Sequence, residues 1–198
     1  MASAVLALPP APQPARPRVL LVGTALAAAA SFMGIVGLVG LYLAARADAL
    51  AAEGGTWLPE GTNIPLTPGN MAFATMLISA VTMWWAVDAV GKNDRPMAYL
   101  ALGLTIFFGI AVINATSFLF TQSNLAVDST PGVLLYTAAG AHLVMITVGL
   151  VYAAVMTFRT LGGEYHGRDR EGLTAAALFW YVTIAAHAVI WLAIYVTK

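Results

Sequence analysis

His142 and His187 are the residues of this sequence best placed to do chemistry, because each interrupts a stretch that is otherwise almost wholly apolar. His142 lies in "AAGAHLVMITVGLVYAAVMTF", residues 138–158. Ionisable side chains are expensive in hydrocarbon and mark either function or a specific partner. An imidazole in such a place can ligate copper or iron, handle protons or water, or hydrogen-bond to a neighbouring helix. A metal site generally wants three or more ligands, so two histidines with no carboxylate nearby make a thin set. The absence of cysteine removes disulfides, thiolate metal ligands and a Cys nucleophile. The third histidine, His166, belongs to a charged loop instead, "RTLGGEYHGRDREG".

At ~1.5 Å per residue, His142 sits roughly 24 Å from the end of its helix at Phe158, and His187 roughly 22 Å from Gly172. Consecutive antiparallel helices therefore bring the two to one depth. Asn114 and Ser31 fall near that level on two other spans. The four form a candidate polar cluster in the membrane: His142, His187, Asn114 and Ser31. Its expected role is packing, with interhelical hydrogen bonds of about 0.6–2 kcal/mol each. Gly34, Gly37 and Gly40 give one helix a small-residue face that lets another backbone approach. Together with Trp84 and Trp85, which read as interfacial or lipid-facing aromatics, they mark a candidate lipid cleft. Asp88, one turn before Lys92, reads as an i,i+4 ion pair at the interface. No phosphate loop, Gly-x-Ser-x-Gly or HExxH is present, so no catalytic residue is assigned to this chain.

The elements that must position these side chains are membrane helices. Of 198 residues, 60% are hydrophobic and 9% charged, with a mean hydropathy of +0.82. A soluble domain carries roughly a quarter charged residues. Basic and acidic side chains cancel, so no nucleic-acid partner is implied. Five segments reach the ~20 apolar residues a membrane helix needs: 19–45, 70–90, 96–120, 132–158 and 173–197. Their continuous apolar runs exclude a β-barrel, which would alternate. The fold class is an all-α, five-helix membrane bundle over 19–198, behind a proline-rich tail at 1–18.

Arg16, Arg18, Lys92, Arg95, Arg159, Arg168 and Arg170 fall on one side, and Arg46 and Lys198 on the other. Basic residues favour the cytoplasmic side, giving N-terminus in and C-terminus out. The longest loop, 46–69, with Trp57 and its prolines, is then an external interfacial cap. No internal repeat or mid-membrane proline break supports a transporter.

Several runs resemble subunit III of the haem–copper (cytochrome c) oxidases in its short, five-helix form. "GLVGLYLAARA" is similar to the end of that form's first helix, and "WLPEGTNIPLTPGN" to its Trp-Pro-rich loop. "LISAVT" matches the Leu-Leu-Ser-Ser-x-Thr run at Ser79 and Thr82. "GAHLVMITVGL" resembles the Gly-x-His-x-x-His-x-x-x-Gly run at Gly140, His142 and Gly149. The family's buried glutamate falls at Ser31, its Glu-Tyr pair at about Ile113 and Asn114, and its second penultimate-helix histidine at Met145. The resemblance therefore implies a diverged relative. It would be a non-catalytic accessory subunit of a bacterial plasma-membrane oxidoreductase, holding phospholipid and stabilising a larger subunit that carries haem and copper. It would hold no cofactor or metal of its own. The alternatives are an accessory subunit of a nitric oxide reductase or copper membrane monooxygenase, or a small transporter or channel.

Overall fold

The computed structural model describes residues 18–165, 167 and 169–197. The tail up to residue 17, with Arg16, and also His166, Arg168 and Lys198 lie outside the described residues. Five helices follow in order: α1 (Val19–Ala51), α2 (Leu66–Gly91), α3 (Arg95–Ser123), α4 (Thr130–Leu161) and α5 (Glu171–Ile190), the last continuing as a π-helical segment, Trp191–Val196. Each of the five is long and apolar enough to cross a membrane. The protein is an all-α, multi-pass membrane bundle.

Helix ends extend beyond the apolar runs because local polar chemistry carries them outward. The Asp94 carboxylate accepts from the Met97 N–H at the start of α3, and the Ser129 hydroxyl from Gly132 N–H at the start of α4, each before a proline in the first turn. Glu171 serves a second helix: its carboxylate accepts from the Leu21 N–H at 3.1 Å, satisfying an open donor at the start of α1. The turn between α2 and α3 passes through Asn93 with φ 59°, the left-handed conformation that Asn tolerates.

α5 is the central helix. It packs against α1, α2 and α4, while α2 and α3 pair closely with one another. Half of its span is buried within the bundle, against 17% for α1, the most peripheral helix. Trp180, fully buried, anchors α5 on three neighbours. Its indole N–H donates to the Ser79 hydroxyl of α2 at 3.0 Å. Its ring fills the space left by two glycines: a Cβ on Gly109 of α3 would come within 2.8 Å of it, and one on Gly149 of α4 within 3.0 Å. One turn along α2, the Thr82 and Thr105 hydroxyls join α2 to α3 at 2.7 Å.

Both ends of the bundle are tied across elements. At one end the Arg170 guanidinium donates to the Val87 carbonyl at 3.1 Å, lying where a side chain on Gly91 would have to be. More locally, Lys92 pairs with Asp88 at 2.7 Å at the end of α2, and Arg159 of α4 pairs with Glu164 in the turn that follows it. At the other end the Trp57 indole donates to the Tyr42 hydroxyl at 2.8 Å. Arg46 there reaches the Thr197 carbonyl at 2.8 Å, and the Asn63 N–H donates to the Ser123 carbonyl. Trp57 and Ile64, both buried, fold the 52–65 connection back onto the bundle.

Candidate functional site

α4 and α5 run antiparallel, and their packing sets His142 and His187 side by side with ring centroids 4.9 Å apart and planes tilted by 44°. Both are almost wholly buried, at 2% and 1% exposure. His142 Nε2 lies 3.1 Å from the Thr183 carbonyl of α5. A carbonyl only accepts, so Nε2 carries the proton and Nδ1 presents a lone pair. Neither ring nitrogen of His187 has a hydrogen-bond partner among the described residues. Its imidazole is held by shape instead. Phe73 of α2 stacks on it at 6.0 Å, and Tyr195 meets it edge-on at 6.4 Å. Phe73 in turn stacks on Trp191 at 4.8 Å, whose indole N–H donates to the Asn70 carboxamide at 2.8 Å. The π-helical segment places Trp191 and Tyr195 together here. Tyr195 lies so close to Gly69 that a Cβ there would be 2.7 Å from its ring.

An aromatic and imidazole stack therefore runs from Asn70 at the end of α2 inward to the Thr183 backbone, joining α2, α4 and α5. Chemically it can fix helix rotation and register. Among the described residues no group of three or more His, Cys, Asp or Glu side chains converges on one point.

The other two members of the expected polar cluster do not join the histidines. Ser31 is exposed, its hydroxyl donating back to the Ala27 carbonyl at 2.9 Å. Asn114 is exposed on α3. Both have the right depth and the wrong rotation. The glycines of the expected cleft also face outward, and a Cβ on Gly34, Gly37 or Gly40 would meet nothing within 4 Å. Trp84, on α2, is 63% exposed, whereas Trp85 is half-buried against the core. The glycine face packs on no neighbouring helix of this chain; α1 meets α4 and α5 through Thr24, Ala28, Ile35, Val39 and Tyr42 instead.

Sequence reasoning passed over Trp180 and Phe73. Nothing in an apolar run distinguishes an inward tryptophan from a lipid-facing one. The available signal was the pair Gly109 and Gly149, each of which leaves room for a large ring. The Glu171 cap of α1 was equally hidden, since its partner lies 150 residues away.

A family model described as cytochrome c oxidase subunit III matches residues 18–198. Among similar proteins is the cytochrome c oxidase subunit 3 of Scyliorhinus canicula, 30% identical over 149 residues, which cover 73% of this chain and 55% of that protein. That of Pelomedusa subrufa is 30% identical over 152 residues, 74% of this chain and 56% of its own length. That of Gallus gallus is 28% identical over 148 residues, with coverages of 73% and 55%. The matched region spans little more than half the length of these curated relatives.

Proposed function

The chain belongs to the cytochrome c oxidase subunit III family, and from that premise we propose that it is a non-catalytic accessory subunit of a membrane respiratory oxidoreductase. It stabilises a larger subunit that carries haem and copper, and holds neither itself. We place it in a bacterial plasma membrane with the N-terminus inside, and assign lipid contact to the open glycine face of α1. The match along all five helices carries the reading. The chain's own chemistry supports it: the buried His142–His187 pair joins α4 to α5, and the Ser79, Thr82 and Thr105 hydroxyls bond across helices, as packing contacts do.

A second partner class has an observation in its favour. By the resemblance, Ser31 and about Ile113 stand where the family carries glutamates and Met145 where it carries a histidine, and those departures fit an accessory role in a nitric oxide reductase or a copper membrane monooxygenase. One experiment tests both. The tagged chain is purified from its native membranes in mild detergent, and the co-purifying subunits are assayed for haem and copper. Recovery of a haem- or copper-bearing subunit in fixed ratio is expected, and its cofactor set names the class. A chain recovered alone that conducts ions in liposomes overturns the accessory role.

A further inference from the structure

A neutral imidazole carries one N–H donor and one lone pair, and buried groups of either kind are almost always hydrogen-bonded. His187 has neither nitrogen bonded among the described residues. At 1% exposure its ring is out of reach of a lipid headgroup or a partner's side chain, so the groups able to satisfy it are its own neighbours.

Two neighbours have the matching needs. The Thr183 carbonyl takes the Nε2 proton of His142, which leaves His142 Nδ1 as an acceptor. Tyr195, 2% exposed, has a hydroxyl with no bond to any described residue. It stands eight residues after His187, ~12 Å further along at helical rise, yet the two ring centroids are only 6.4 Å apart. The phenol therefore leans back toward the start of the helix, as helical aromatics do, with its hydroxyl end leading. Eight residues of regular α-helix would also turn Tyr195 ~80° away from the His187 face. The wider turn of the π-helical segment, Trp191–Val196, brings it back.

The separations suit direct bonds. Two imidazoles joined by an N–H···N bond of ~3 Å hold their centroids ~5 Å apart, and His142 and His187 stand at 4.9 Å. A phenol O–H bonded to an imidazole nitrogen at ~2.8 Å sets the centroids ~6–7 Å apart, which brackets the Tyr195–His187 distance. A half-turn of the His187 ring about its Cβ–Cγ bond exchanges nitrogens with carbons. It leaves the ring plane, and so the stack on Phe73, unchanged.

We propose that Tyr195, His187 and His142 form a hydrogen-bonded relay that ends on the Thr183 carbonyl. Tyr195 Oη–H donates to one His187 nitrogen, the other His187 nitrogen donates to His142 Nδ1, and His142 Nε2 donates to the carbonyl. A carbonyl only accepts, so Thr183 sets the direction of every bond in the chain. The relay stops there, which makes it a directed tether holding the π-helical segment to the α4–α5 contact rather than a path through the bundle. The relay holds whichever partner the chain serves, and its failure would leave the accessory role standing.

The full chain, labelled with heavy nitrogen at its three histidines, is reconstituted in lipid bilayers for magnetic resonance. Expected is a scalar coupling between a His187 nitrogen and His142 Nδ1, which only a direct hydrogen bond transmits. Tyr195→Phe should shift the other His187 nitrogen and keep that coupling. His187→Phe retains a ring in the stack and should return His142 Nδ1 to the frequency of an unbonded lone pair. A His187 that only fills space moves none of these signals. Absence of the coupling in the wild-type chain overturns the relay, as does a His187 N–H that exchanges magnetisation with water instead of His142. His187 nitrogens unmoved in Tyr195→Phe overturn it too, and the wild-type coupling decides if a variant fails to fold.

Discussion

His142 holds the α4–α5 contact by a single directed hydrogen bond and by the ring of His187 beside it. Replacing it with alanine removes the donor to Thr183 and opens a void, which should cost about 2–4 kcal/mol, as other large-to-small core substitutions do. His142→Gln keeps a donor and most of the volume and should lose about half as much. The measurement is yield of assembled complex set against turnover per assembled complex. Packing predicts that yield falls and turnover per complex holds. If both variants assemble fully and lose turnover, the pair does chemistry. The same substitution addresses metal directly: one copper or iron per purified chain, lost in His142→Ala, would displace the packing account. The depth of the two histidines was legible in the sequence, since counting residues from a loop gives height along a helix. Rotation was not. Ser31 and Asn114 share that height, yet in helices that are apolar all round no polar stripe marks the inward face. Only the neighbouring helices decide which side turns in.

At the scale of elements, the bundle depends on how closely α3 and α4 approach Trp180. A methyl on Gly109 would press on the rim of an indole that cannot swing away, because its N–H is held by Ser79. Gly109→Ala should therefore destabilise by about 1–3 kcal/mol, the usual cost of overfilling a packed interior. Trp180→Phe should itself cost about 1–3 kcal/mol through a lost hydrogen bond and a smaller ring. The two should not add: in the Trp180→Phe background Gly109→Ala becomes less costly, a coupling that a double-mutant cycle on thermal unfolding would detect. The remainder comes from Leu150, whose Cδ2 lies 2.5 Å from where the added methyl would be. Simple additivity within about 0.5 kcal/mol would mean that the glycine is not there for the tryptophan. Five spans and their breaks were readable from apolar runs and turn chemistry. The helix ends were less so, with α1 running on to Ala51 and α5 closing in a π-helical segment. These extensions draw on contacts such as Arg46 with Thr197 that join residues far apart in the chain.

For the whole molecule, Arg18, Lys92, Arg95, Arg159 and Arg170 lie at one end of the bundle and Arg46 at the other. The proposed orientation puts the first group in the cytoplasm by the preference of basic residues for that side. Single cysteines at Asp128 and Asp169, both exposed, should be labelled by an impermeant reagent from opposite faces of sealed membranes, Asp128 from outside. Labelling of both from outside would reject the orientation. The central place of α5 also has a consequence for how the protein is made. Synthesis runs from the N-terminus, so the helix that fills the middle of the bundle is the last of the five to leave the ribosome. Until it arrives, Ser79 has no indole to bind, the slot between Gly109 and Gly149 is open, and the Leu21 N–H of α1 lacks Glu171. A nascent chain of four spans is therefore an unfinished shell. Its exposure to membrane quality control lasts until α5 is inserted, and slow codons just upstream of Glu171 would lengthen it.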